Sequence, residues 1–184
     1  MKRTRSHVGW LWHCTKWQAE RLVQHEDRPL ITGKGVEVAE LATEQMVVAA
    51  DSDRCYEVVA DIEDLPSWAA DVKQVEVLKR DKKGRPLEVA FRAGAFGRST
   101  SYTLSYDYAK APKVLSWRLV EGDLTSKLDG SYRFEPAVGG GTEVTYSLEV
   151  ELRVPLPGFI KRRAQSRIMH TALSDLKARV ESEG

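Results

Sequence analysis

The segment Pro157–Glu181, PGFIKRRAQSRIMHTALSDLKARVE, is predicted to form one long helix that the rest of the domain must cover. Its apolar residues recur every four positions, with two more beside them, so they share one face of a helix. Apolar surface is stabilised by burial, and a face of this length is therefore unfavourable in water. A broad apolar surface must lie against it. The residues of this face are Ile160, Ala164, Ile168, Met169, Ala172, Leu173, Leu176 and Val180.

Most of the chain before this helix has the alternation of a β-sheet. Val144, Tyr146 and Leu148 alternate with polar residues in the clearest segment, and earlier segments from Val72 onward show the same period of two. Turn-forming residues such as Gly139–Gly141 separate the segments. One apolar face and one polar face in strand after strand are typical of an antiparallel meander.

A first strand and two short helices precede the meander. The strand is predicted over Val36–Ala50, the cluster Asp51–Asp53 suits a helix start, and Leu65–Trp68 begins a second helix at a proline. This order predicts an α+β domain: a curved antiparallel sheet of about seven strands around the long C-terminal helix, with two short helices after strand one. Such a sheet cannot close tightly along the whole helix, and the gap becomes an apolar cavity suited to a ligand.

The composition indicates one ordinary domain with an extension. The 184 residues include 28 Lys and Arg against 27 Asp and Glu, and the net charge of +1 argues against a nucleic-acid partner. No apolar segment approaches the roughly 18–20 residues that cross a bilayer. The two cysteines, Cys14 and Cys55, do not suggest a disulfide framework, and the apolar run Val8–Trp12 is too short for a signal peptide. We therefore expect a cytoplasmic protein.

Residues 1–36 differ from the remainder and are predicted to be separate from the domain at 37–182. They contain three of the five tryptophans among scattered basic residues, and Gly33-Lys34-Gly35 is typical of a linker. Two interpretations are open. The segment is either a poorly ordered or loosely attached extension, as chain termini often are, or a basic arm that touches a membrane surface or a partner.

Four segments resemble a known superfamily. They are CYEVVADIEDLPSWAADVKQVEVL (55–78), LDGSYRFEP (128–136), GGGTEVTYSLEVEL (139–152) and VPLPGFIKRRA (154–164). Together they are similar to the SRPBCC or START-like helix-grip proteins, in particular the polyketide cyclase/dehydrase branch that also includes coenzyme Q-binding proteins. The resemblance covers about four-fifths of the chain and leaves the first 36 residues outside.

The resemblance implies a ligand that is bulky and apolar, such as a lipid, a quinone or a polyketide-like molecule. The first hypothesis is a binding or carrier protein for such a molecule. The alternative is an aromatase/cyclase-type enzyme that acts on a polyketide. A second alternative is a protein–protein interaction module of the toxin-like type, because some bacterial members are growth-inhibiting toxins. The fold alone does not decide among them.

The sequence contains no standard catalytic signature, neither a nucleotide-binding glycine pattern nor a zinc-binding pair nor a nucleophile elbow. We therefore assign no catalytic residue and expect no cofactor. His170 is the one histidine of the predicted domain, so we expect no metal site either. Two interpretations of His170 are open: a general acid or base at the cavity mouth, or a surface residue at the edge of the apolar helix face.

Aromatic residues on the apolar side of the predicted strands are candidates for the cavity wall, with phenol hydroxyl groups as polar anchors. Core packing is the competing interpretation. Trp68, which follows the break at Pro66, either caps the entrance or fastens the short helices to the sheet. The predicted cavity residues are Trp68, Phe91, Tyr102, Tyr106, Trp117, Tyr132, Tyr146 and Met169.

The first turns of the long helix carry Lys161, Arg162 and Arg163, with Arg167 one turn later. The helix dipole is already positive there, so each exposed cation costs about 0.3–1 kcal/mol at low salt. Free backbone N–H groups at the same end favour an anion. We predict an anion-binding site for an acyl carrier protein with its phosphopantetheine arm or for an anionic membrane surface. A solvated face balanced by nearby carboxylates is the alternative.

Overall fold

The computed structural model describes residues 41–95, 98–153 and 157–182. The predictions for residues 1–36 lie outside this part of the chain. The described elements are β1 (Leu41–Val48), α1 (Ser52–Ala60), a short 3-10 turn (Ile62–Asp64), α2 (Leu65–Trp68), β2 (Val72–Arg80), β3 (Pro86–Ala95), β4 (Arg98–Asp107), β5 (Val114–Gly122), β6 (Thr125–Pro136), β7 (Thr142–Leu152) and α3 (Gly158–Ser182).

The strands form one antiparallel sheet of seven strands in the order β1-β7-β6-β5-β4-β3-β2. Neighbours in sequence are neighbours in the sheet from β2 to β7, as the alternating pattern predicts. β1 instead pairs with β7, so α1 and α2 carry the chain from one edge of the sheet to the other. The predicted α+β helix-grip fold, with two short helices after strand one, is confirmed.

The alternation of β7 shows how the sequence selects the faces of the sheet. Thr142, Val144, Tyr146, Leu148 and Val150 are buried, and the residues between them are partly exposed. Because a strand has a period of two, this register places one continuous row of side chains against the interior. The opposite face of β7 carries Glu143, Glu149 and Glu151.

Helix α3 buries a face that is rotated from the predicted one. Its buried residues include Met169 and Leu173, as predicted, but also Gln165, whose side-chain amide donates to the carbonyl oxygen of Leu148. Ile160, predicted to be covered, has 38% of its surface exposed. The apolar stripe is divided between two surroundings, because one part packs into the core while Ile168, Ala172 and their neighbours face a cavity.

Polar contacts hold the C-terminal half of α3 in place. Asp175 accepts a hydrogen bond from the backbone N–H of Ala70 at 2.8 Å, and Arg179 pairs with Asp64 at 3.2 Å. Lys177 donates to the carbonyl oxygen of Val47, and Glu181 accepts from the N–H of Ala49. These contacts join α3 to the start of β2 and to the end of β1, and they fix the position of the helix relative to the sheet.

Candidate ligand-binding cavity

A cavity of about 180 Å³ lies between the sheet and α3. A single water molecule needs only about 10–15 Å³ of such volume, so the space exceeds a packing defect by roughly an order of magnitude. Strands β3 to β7 form its floor, Leu65 and Ala69 of the α2 region close one side, and Ile168 and Ala172 of α3 form the roof. The wall is mainly apolar, as is typical of small-molecule sites.

Six of the eight predicted cavity residues lie together on this wall: Phe91, Tyr102, Tyr106, Trp117, Tyr132 and Tyr146. The other two do not contribute to it. Met169 is only 2% exposed and packs in the core, on the face of α3 beside the one that meets the cavity. Trp68 also packs against the core, because α2 presents Leu65 and Ala69, four residues apart, to the cavity instead. That the six bind a ligand stays a prediction.

Cross-strand pairing aligns these aromatic rings. Tyr132 faces Tyr146 across β6 and β7, and their rings stack with centroids 4.5 Å apart. Phe91 faces Tyr102 across β3 and β4 at 5.4 Å. Trp117 of β5 faces Gly130 of β6. A Cβ atom at residue 130 would lie 2.5 Å from the Trp117 ring, so this position requires glycine. The rings pack in stacked and tilted pairs and form the aromatic floor of the cavity.

The tyrosine hydroxyl groups supply hydrogen-bond donors to this apolar space. Within the described residues, the hydroxyls of Tyr102, Tyr106, Tyr132 and Tyr146 make no hydrogen bond to another protein group. Burial raises the pKa of Tyr102 to about 12 and holds the pKa of the other three well above the ordinary value. All four therefore remain neutral donors near neutral pH, and a ligand oxygen would satisfy them.

Two carboxylates complete the wall, and the sequence predictions did not include them. Asp175 of α3 is half-buried, and Asp71 lies exposed just before β2. Burial is the main cause of the raised tyrosine pKa values, and the negative charges of Asp175 and Asp71 add to the rise at Tyr132 and Tyr102 respectively. Asp175 could have been found from spacing, because it follows Ile168 and Ala172 by seven and three residues on the same helix face.

A turn between β5 and β6 closes another part of the cavity. Asp123 accepts hydrogen bonds from the hydroxyl of Thr100 and from the N–H groups of Ser101 and Leu124, and these contacts lower its pKa. Thr125 is buried beside them, and its hydroxyl has no partner among the described groups. The carboxylate of Asp123 therefore fixes the backbone that carries this side of the wall.

The remaining candidate groups lie outside the cavity. The Nδ1 atom of His170 is 2.8 Å from Oε1 of Glu44, and the histidine side chain is 65% exposed on the outer side of α3. Arg92 and Arg118, both on polar strand positions, are exposed on the outer face of the sheet. Among the described residues no group of three or more His, Cys, Asp and Glu side chains could hold a metal ion.

The basic segment, which we define as Lys161, Arg162, Arg163 and Arg167, lies at the start of α3 and away from the cavity wall. Its three arginines are exposed, and Lys161 is half-buried. Phe159 beside them is 67% exposed. Positions 159, 163 and 167 follow one another every four residues and thus share one face of the helix. Anion binding at this segment stays a prediction.

Comparison with known proteins places the chain in context. A family model described as polyketide cyclase / dehydrase and lipid transport matches residues 40–181, more than three-quarters of the chain. No curated protein matches the sequence. In the described ranges no helix has both the length and the apolar character needed to cross a membrane.

Several solved structures share the fold. A START superfamily protein from Mycobacterium smegmatis has a TM-score of 0.74 at 24% identity, over 78% of this chain and 99% of that chain. An aromatase/cyclase from Streptomyces sp. R1128 has a TM-score of 0.68 at 17% identity, over 77% and 93%. A ginseng major latex-like protein has a TM-score of 0.61 at 16% identity, over 77% and 97%. At these identities the likeness shows the fold alone.

Proposed function

The chain belongs to the polyketide cyclase / dehydrase and lipid transport family, of START-like fold, and we propose that it binds a bulky apolar small molecule between its sheet and α3. The ligand is a lipid, quinone or polyketide-like molecule, and the protein acts as its carrier or binding protein. The observation that carries this proposal is the aromatic, mainly apolar cavity of about 180 Å³. Burying apolar ligand surface there contributes about 25 cal/mol per Å².

The chemistry of the wall supports binding over proton transfer. A phenol whose pKa is held far above neutrality is a poor acid and, because it keeps its proton, not a base. It is nevertheless a good hydrogen-bond donor to a carbonyl or hydroxyl oxygen. The four unpartnered tyrosine hydroxyls thus suit an apolar molecule that carries neutral oxygen atoms.

A substitution that fills the cavity tests the proposal. Ala172 faces the cavity from α3, so Ala172→Trp should displace a neutral apolar dye such as Nile red and weaken its binding at least about tenfold, or about 1.4 kcal/mol. Ala178→Trp on the exposed side of the same helix is the matched control and should bind the dye normally. Equal dye binding by both folded variants, or no binding by the unmodified protein, would refute a ligand in this cavity.

An aromatase/cyclase-type enzyme is the second candidate, and the two wall carboxylates favour it. Asp175 or Asp71 would accept a proton from the carbon between two ketone groups, while Tyr132 or Tyr102 would donate a hydrogen bond to the developing enolate oxygen. Conversion of a linear poly-β-ketone thioester to an aromatic ring, followed by its absorption spectrum, tests this activity. Asp175→Asn should slow an Asp175-dependent reaction by about 10²-fold or more. The hypothesis of a protein–protein interaction module of the toxin-like type implies a filled interior. The cavity does not support that hypothesis.

The basic segment is the proposed contact with a partner. From Leu152 to Ser174 the sequence has five Lys or Arg residues and no Asp or Glu, in a chain whose total charge is only +1. An exposed phenylalanine next to this charge suits the boundary between lipid headgroups and acyl chains. An anionic membrane surface is therefore the proposed partner. An acyl carrier protein is the alternative, since it offers charge without an apolar layer.

A further inference from the structure

The charged side chains of the cavity wall are all of one sign. Asp71 and Asp175 belong to the wall, and none of the other described wall residues is Lys, Arg or His. Cations nearby are engaged elsewhere, since Lys73 donates to the carbonyl oxygen of Ala70 and Arg179 pairs with Asp64. An anionic ligand group would find no cation in this part of the wall, whereas a cationic group would find two carboxylates.

A backbone contact fixes the position of the Asp175 carboxylate. Its Oδ2 atom accepts the hydrogen bond from the N–H of Ala70, which holds the carboxylate between α3 and the start of β2. Within the described part of the chain its other oxygen, Oδ1, has no hydrogen-bond partner. The charge also acts on the hydroxyl of Tyr132, so it is felt inside the aromatic floor as well as at the surface. The wall thus combines neutral donors on the floor with negative charge beside α3.

We propose that the cavity selects a ligand with a protonated amine at the end near Asp71 and Asp175 and with neutral oxygens toward the tyrosines, and that it rejects carboxylates such as free fatty acids. This inference rests on the proposed function. A charge-assisted hydrogen bond from an ammonium group to a carboxylate is stronger than a neutral one. A carboxylate placed there would meet like charges and lose its hydration, and both effects oppose binding.

Three ligands of one chain length test the selection: decylamine, decanol and decanoate, each displacing Nile red at neutral pH. Decylamine should bind at least about tenfold more tightly than decanoate, with decanol between them. The double variant Asp71→Asn with Asp175→Asn should reduce the amine-to-carboxylate ratio about tenfold and leave decanol unchanged. Asparagine at 175 keeps an oxygen for the N–H of Ala70, so the helix contact survives.

Asp53→Asn together with Asp107→Asn is the control, because it removes the same charge from exposed positions that are not part of this wall. It should keep the order of the three ligands. If decanol and Nile red bind but decanoate binds as tightly as decylamine, the selection is refuted and the apolar binding function stands. An unchanged ratio in the double variant would refute the role of the two carboxylates. Failure of all three ligands and of the dye would overturn both proposals.

Discussion

Tyr106, Tyr132 and Tyr146 are tyrosines at positions where an ordinary core would favour phenylalanine. All three are buried, and within the described ranges their hydroxyl groups have no protein partner. Packing needs only the rings: those of Tyr132 and Tyr146 stack on each other, and that of Tyr106 packs against Trp117. The hydroxyl groups are therefore not needed for this packing, and they are available to a ligand that enters the cavity.

Tyr132→Phe separates these two roles. The substitution keeps the ring that stacks on Tyr146 and removes only the hydroxyl, so the free energy of unfolding should stay the same or rise by up to about 1 kcal/mol. Affinity for a long-chain ketone should fall about threefold to tenfold, while affinity for the matched alkane should not change. Urea unfolding and Nile red displacement measure the two effects.

Tyr108→Phe is the control for this prediction. Its hydroxyl donates to the carbonyl oxygen of Pro86 at 2.7 Å and is not part of the wall, so its loss should lower the free energy of unfolding by about 1 kcal/mol. Ketone binding should remain normal in this variant. A loss of stability in Tyr132→Phe as large as in Tyr108→Phe would show that the Tyr132 hydroxyl has a structural role.

At the level of elements, α3 shows how far the sequence could lead. The four-residue repeat correctly indicated one long helix under a sheet, because periodicity depends only on local spacing. It did not reveal that the stripe is divided, with Met169 in the core and Ile168 in the cavity wall. That division depends on the rotation of the helix, which contacts such as Gln165 with Leu148 and Asp175 with Ala70 determine. These contacts join distant parts of the sequence, and no local pattern contains them.

The strands were more predictable than the helix for the same reason. Parity alone assigned Phe91, Tyr102, Tyr106, Trp117, Tyr132 and Tyr146 to the inner face, and all six line the cavity. Asp71 was missed because it lies between α2 and β2, where neither helical nor strand periodicity applies. A wall made of several elements can be predicted from sequence only where each element has a regular period.

The start of α3 should bind anionic vesicles through its basic segment. Replacing Arg162, Arg163 and Arg167 by glutamine should weaken binding to vesicles of phosphatidylcholine and phosphatidylserine at least tenfold, because each basic residue contributes about 1 kcal/mol near such a surface. The control variant replaces Arg92, Arg118 and Arg133 by glutamine. These arginines are exposed on the sheet, and their replacement removes the same charge. Co-sedimentation measures the bound fraction, and added salt should reduce it.

Phe159→Ser distinguishes a bilayer from a protein partner. If the exposed Phe159 enters the headgroup region, its removal should weaken vesicle binding even at high salt. Equal vesicle binding by the arginine variant and its control would contradict the membrane proposal. Selective loss of binding to an acyl carrier protein in the same variant would instead assign the segment to that partner.

At the scale of the whole described domain, three sets of polar groups that the proposals use lie in separate places. Neutral tyrosine hydroxyls lie on the cavity floor, the carboxylates of Asp71 and Asp175 lie beside α3, and the basic segment lies outside the cavity at the helix start. In the proposed complexes, an apolar ligand would meet hydroxyl donors on the cavity floor and carboxylates at the wall. The basic segment would face an anionic membrane surface. Because of this separation, we expect substitutions to alter affinity for the ligand and attachment to a membrane surface independently.

The free energy of unfolding at alkaline pH tests whether the tyrosines of the cavity are buried. These tyrosines come from three strands, so the measurement reports on the whole sheet. Burial raises the pKa of Tyr102 and of Tyr108 to about 12, and the pKa values of Tyr106, Tyr132 and Tyr146 lie well above the ordinary value near 10. Above about pH 10 the unfolded chain loses protons that the folded chain keeps, so the free energy of unfolding must fall as the pH rises. It should be unaffected by these groups below that pH.

The slope of this fall counts the buried tyrosines. Between about pH 10 and pH 12 each of them contributes up to about 1.4 kcal/mol per pH unit, so Tyr132→Phe should reduce the slope by about one such contribution. Urea unfolding followed by tryptophan fluorescence at several pH values measures it, and lysine ionisation affects the parent and the variant equally. An identical slope in both proteins would mean that the Tyr132 hydroxyl ionises as readily in the folded cavity as in the unfolded chain, and that water, not ligand-sized apolar space, surrounds it.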